Sequence, residues 1–112
     1  MMNHMKRTTE PEAAVACLWQ EHLRAPYPAA LRGAELAGTD MVLLDAHIAG
    51  CVSTWLDNGG SLDAKRLGIL RGCIADLDQI LPLLNESEDR RYYQRLHRLA
   101  LVVSTADSES TE

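Results

Sequence analysis

The sequence predicts an all-α protein: a small antiparallel four-helix bundle, with room for a short extra helix between helices one and two. Three observations carry that prediction. Leu and Ala dominate the apolar residues and Phe is absent, a mixture that favours helix because unbranched side chains lose little freedom there. Four stretches repeat apolar residues at three- and four-residue steps, the period of an amphipathic helix. The joints between the later stretches are short, which makes consecutive helices antiparallel neighbours.

The first helix is announced by Thr9 and Glu12 in capping-box spacing, with Pro11 tolerated in the first turn. Val15, Leu18, Trp19, His22 and Leu23 then form one apolar stripe, and Pro26 and Pro28 end it. The connection from Ala25 to Gly38 is long for a bundle, where about 2–8 residues are usual. Pro28 can open a helical turn carrying Leu31 within it.

Thr39 is expected to cap the second helix, with Asp40 in its first turn. Met41, Leu44, Ile48, Cys51 and Trp55 make its stripe, and Val42, Leu43, Val52 and Leu56 widen the apolar arc. Asp57 to Ser61 is a tight joint in which a glycine ends one helix and Ser61 caps the next. The third helix reads from Leu62 to about Leu84, with Pro82 disturbing its last turn. It carries two adjacent stripes: Leu67, Leu70, Ile74, Leu77, Leu81 and Leu84, and beside them Leu62, Ile69, Cys73 and Ile80. Asn85 and Glu88 suggest the start of a fourth helix, striped by Tyr92, Leu96, Leu99 and Val103.

These limits place the bundle domain at residues 9–105, between a disordered N-terminus, 1–8, and a disordered acidic tail, 106–112. A chain of 112 residues accommodates one such core. Its net charge of −5 and pI near 5.3 argue against a nucleic-acid-coating protein and against an anionic membrane surface. The longest apolar stretch, Ala13 to Trp19, is too short to span a bilayer and lacks the context of a signal peptide. Three cysteines, Cys17, Cys51 and Cys73, form no C-x-x-C pair, so reduced thiols in a cytoplasmic protein are expected.

Few constellations carry chemistry. His47 and Cys51 stand four apart, a spacing that suits two metal ligands or an activated thiol. Two ligands are too few for zinc, and Cys51 belongs to the apolar stripe, so core packing is the expectation. No Glu-x-x-His occurs, which removes the signature of a di-iron bundle. No cofactor or metal is therefore read from the sequence. Gly59-Gly60-Ser61 lacks any phosphate-loop frame and reads as a joint. Asp45 borders the apolar arc, where a carboxylate has to be paired, neutral or functional.

Three surfaces remain. The second stripe of helix three, Leu62, Ile69, Cys73 and Ile80, exceeds what one core needs and suggests a homodimer interface. His22, Asp45 and His47 could converge on a ligand pocket beneath the long connection. Arg91, Arg95 and Arg98 share one flank of helix four and form a face for an anion or an acidic partner. Glu86, Glu88 and Asp89 just upstream are expected to pair with that face. The leading functional expectation is a non-enzymatic protein-interaction or regulatory module that forms a homodimer, with an unidentified protein partner as the lesser expectation. The alternative is a small-molecule-binding bundle with enzymatic chemistry at His22, Asp45 and His47.

Overall fold

Thr9 opens the first helix of the computed structural model, which describes residues 9–110. The segment 1–8, expected to be disordered, and the last residues of the acidic tail lie outside the described residues. Helix α1 (Glu10–Arg24) begins with the reciprocal cap. The Thr9 hydroxyl accepts the Glu12 amide at 3.2 Å, and the Glu12 carboxylate accepts the Thr9 amide at 3.1 Å. Two backbone donors that the helix itself leaves orphaned are satisfied this way.

The connection that follows is ordered. A single 3-10 turn, Ala29–Leu31, buries Leu31. Two short strands, β1 (Glu35–Leu36) and β2 (Thr39–Asp40), then pair antiparallel, with Leu36 opposite Thr39. Ala37 (φ 51°) and Gly38 (φ 78°) link them; positive φ at both central residues defines a tight hairpin turn matched to strand twist. The chain is thus mostly helical but not purely so.

Helix α2 (Met41–Asp57) is capped by Asp40, whose carboxylate takes the amides of Val42 and Leu43 at 2.9 and 3.0 Å. The cap is thus Asp40 and not the expected Thr39, although both residues belong to β2. The helix ends at Asn58, where the Gly59 amide reaches Leu56 and the Gly60 amide reaches Trp55 at 2.8 Å. Those bonds need left-handed backbone at Gly59 (φ 68°) and Gly60 (φ 93°), which glycine adopts without a Cβ penalty.

Helix α3 (Ala64–Ile80) starts later than its sequence suggests, and Asp63 replaces Ser61 as the cap. The Asp63 carboxylate accepts the Arg66 amide at 2.8 Å and pairs with its guanidinium. A 3-10 turn, Leu81–Leu83, takes up Pro82. Helix α4 (Ser87–Ser110) begins two residues after Asn85 and continues past the expected boundary at 105. Asp107, read as part of a loose tail, is buried and accepts the Leu62 amide at 2.9 Å.

Helix α4 packs on α1, α2 and α3, and α2 packs on α1 and α3. Met41, Ile48, Val52 and Trp55 of α2 and Tyr93, Leu96, Leu99 and Val103 of α4 are almost fully withdrawn from water. Each such side chain contributes on the order of 1.5–3 kcal/mol of transfer free energy. The buried line of α3 is Leu70, Cys73, Leu77 and Ile80, running between the two stripes read from sequence and drawing on both. Leu23, Val42 and Leu43, assigned to apolar arcs, are 59%, 45% and 54% exposed. Among the described residues no helix is long and apolar enough to cross a membrane.

The Asp107–Leu62 bond ties the late turns of α4 to the entry of α3. Asp107→Ala should lower the unfolding free energy by about 2 kcal/mol, the usual worth of a buried bond to a charged acceptor. Urea denaturation measures it, and Asp107→Asn, which keeps an acceptor oxygen, should cost less.

Candidate functional site

Apart from Asp107, the polar side chains withdrawn into the fold include a cluster shared by three helices and the connection. His22 comes from the last turn of α1 and Asp45 from the second turn of α2. Tyr92 and Tyr93 come from α4, and Tyr27 from the connection. Tyr92 donates its hydroxyl to Asp45 Oδ2 at 2.7 Å, and His22 Nε2 lies 3.2 Å from Asp45 Oδ1. With Nε2 carrying the proton, His22 donates to the carboxylate. Beside this, Tyr93 donates to the Met41 carbonyl at 2.6 Å, so Tyr27 donates to the Tyr93 oxygen at 2.7 Å. Rings pack the gaps: Trp19 stacks on His22 at 5.8 Å, and Tyr27 meets Tyr92 edge-on at 5.3 Å.

Burial, and then the acceptor role of Asp45, push the Tyr92 phenol well above its ordinary value. Burial does the same to Tyr93. These phenols are donors held in their protonated form, and every Asp45 oxygen has its donor. The cluster therefore pins α1, α2 and α4 together; His22 Nδ1 is buried without a protein hydrogen-bond partner, and Tyr92 also borders a small surface hollow.

Two of the three residues proposed for a ligand pocket, His22 and Asp45, do meet. His47 is exposed and stands apart, and none of the three residues lines the clefts described below. The partner of the His22–Asp45 pair is Tyr92, which the sequence presents only as an apolar stripe residue. The proposed homodimer stripe is likewise redistributed. Leu62, Cys73 and Ile80 are buried in the chain's own core, and Ile69 alone of the four is exposed, at 42%. Helix α3 turns the line between its two stripes inward, so three of these residues are consumed by packing. Cys51 is buried against the Arg66 carbonyl and Cys17 is exposed. Among the described residues no group of three or more His, Cys, Asp or Glu side chains is placed to hold a metal.

The arginine face has the geometry of a site. Arg91, Arg95 and Arg98 line one cleft of about 670 Å³, walled by Leu18 and Glu21 of α1 and by Leu81. Arg91 and Arg95 also line a smaller hollow of about 190 Å³ beside Pro26, Tyr92 and Glu88. The expected pairing with Glu86, Glu88 and Asp89 does not occur: among the described residues, none of the three arginines forms an ion pair. Arg95 lies over the Tyr92 ring, 5.6 Å from its centroid, and its Nε is buried without a protein hydrogen-bond partner. The stacking orients the guanidinium while leaving its donors unused. His97, at the cleft's edge, is held by Asp78 at 2.9 Å.

Comparison of the chain with protein-family models, with curated proteins and with solved structures finds no match.

Two measurements test the buried cluster. Tyr92→Phe removes the donor from Asp45 and should cost about 1–2 kcal/mol of stability in a denaturant titration. The second is a pH profile. Burial raises the Cys73 thiol from 9.0 to about 11 and raises the phenols of Tyr27, Tyr92 and Tyr93. The unfolded chain therefore releases these protons first as pH rises. Stability fully present below pH 9 should fall between about 9 and 11 and continue falling beyond. A denaturation midpoint that stayed flat to pH 11 would contradict the burial of these groups.

Proposed function

We propose that this chain is a non-enzymatic protein-interaction module that docks an acidic segment of a partner protein on the α4 arginine face. The observation that carries this is the convergence of Arg91, Arg95 and Arg98 on one cleft, none of them in an ion pair among the described residues. On a chain of net charge −5 such a face is a local reversal of sign, and carboxylates are the natural complement of guanidinium forks. The donors on both Asp45 oxygens, from His22 and Tyr92, support the non-enzymatic reading over catalysis there. The opposed run of α1 and α4 and the short joint between α2 and α3 support an antiparallel bundle as the scaffold. The three free cysteines suit a reducing, cytoplasmic setting.

A homodimer is the second reading. It draws on the large apolar side chains left in water, of which Leu23, Leu43 and Leu83 are more than half exposed. Light scattering across a concentration series decides it, and a chain monomeric throughout would end it.

The docking reading is tested on an array of acidic peptides. Binding should be lost when Arg91, Arg95 and Arg98 are all changed to Glu. It should also weaken steeply toward about 1 M salt, where the Debye length falls to ~3 Å. Peptides that bind the reversed variant as well as the natural chain would overturn it.

A further inference from the structure

The arginine cleft is one half of a longer groove. A second hollow of about 410 Å³ lies between the start of α1 and the later turns of α4, and the two share Leu101. Along α4 the floor runs through Arg91, Arg95, Arg98, Leu101, Val102 and Thr105, at helical steps. Along α1 the opposite wall is Pro11, Ala14, Leu18 and Glu21, at steps of three and four. Pro11 lies near Thr105, and Glu21 near Arg91 and Arg98, so the two rows run in opposite directions.

The two halves differ in chemistry. Three arginines and Glu21 line one end, and Glu88 borders the adjoining hollow beside Arg91 and Arg95. Ala14, Leu101, Val102 and Ala106 make the other end apolar, and the small side chains there permit close approach. From Arg91 to Ala106 the floor extends about 22 Å at 1.5 Å per residue. Two ridged helix surfaces with three- and four-residue steps accept the ridges of another helix, whose side chains repeat at the same interval. An extended strand, with side chains alternating every residue, would not keep that register.

Building on the interaction reading above, we infer that the groove holds an amphipathic α-helix of the partner protein, acidic at one end and apolar at the other. Its acidic end lies over Arg91, Arg95 and Arg98. Its apolar anchors, at i, i+3 or i+4 and i+7, lie over Leu101, Val102 and Ala106. Glu10, at the rim of the apolar half, favours a basic residue of the partner there.

The test is selection of a displayed library of random peptides of about 16 residues on the full chain. Titrations of the enriched peptides follow, against the natural chain, the triple arginine-to-glutamate variant, Leu101→Glu and Thr105→Arg. Leu101 is 41% exposed and Thr105 is exposed, so both variants should keep the fold, which circular dichroism checks. Enriched peptides should combine an acidic half with a helical apolar register in the other half, and gain helical signal on binding. Leu101→Glu and the triple variant should each weaken them about ten-fold or more.

Acidic peptides without an apolar register, bound as tightly by Leu101→Glu and Thr105→Arg, would overturn the helix inference and leave the acidic-partner reading standing. Peptides indifferent to the arginines, or no enrichment at all, would overturn both. Dimerisation of the natural chain that Leu101→Glu abolishes would assign the groove to a second copy and overturn the inference.

Discussion

A carboxylate at the edge of a helical core has to find its donors where it stands, and Asp45, 18% exposed, finds them on two other helices. Tyr92 reaches it from α4 and His22 from α1. Neither donor can move without leaving a charge unsatisfied in a poorly solvated place, which costs more than the bond itself contributes. That requirement fixes the rotation of α1 and the axial register of α4 against α2. The Tyr27–Tyr93–Met41 chain extends it to the connection, which explains why so long a segment is ordered. Apolar packing supplies the bulk of the driving force but is tolerant of rotation; the directional bonds choose among the rotations.

Once α4 is fixed in that register, its two sides are committed. Tyr92, Tyr93, Leu96 and Leu99 turn inward, and the arginines three and four positions away necessarily turn out toward α1. Arg95 links the two sides, since it rests on the ring whose hydroxyl Asp45 holds. The basic face is thus built on a rigid support. Its guanidinium groups are spaced by the same helix that carries the core, which lowers the ordering entropy a partner must overcome.

Much of this is legible in the sequence, and the misses have physical causes. The helices are visible because each buries one stripe, and the Thr9–Glu12 cap because its spacing is distinctive. Caps at Asp40 and Asp63 are obscured because each acid follows a residue that can cap equally well, Thr39 and, two positions earlier, Ser61. The hairpin is hidden because Ala37 takes a left-handed conformation usually left to Asn, Asp or Gly. Helix α3 presents two stripes, and only its neighbours decide that the line between them faces inward. The arginine face is readable from helical spacing, but that none of its arginines forms an ion pair among the described residues is a matter of side-chain geometry. Tyr92 as the partner of Asp45 is a contact across 47 residues that no local pattern encodes.

The bond from the Leu62 amide to Asp107 spans 45 residues and encloses α3 and most of α4. Helix ends ordinarily fray independently, each opening with a small free energy of its own. Here Leu62, just before the α3 cap, and the late turns of α4 share one tether, so opening at either end loosens the other. The two termini behave as a single cooperative unit, and amide protons at both should exchange with solvent at a common rate.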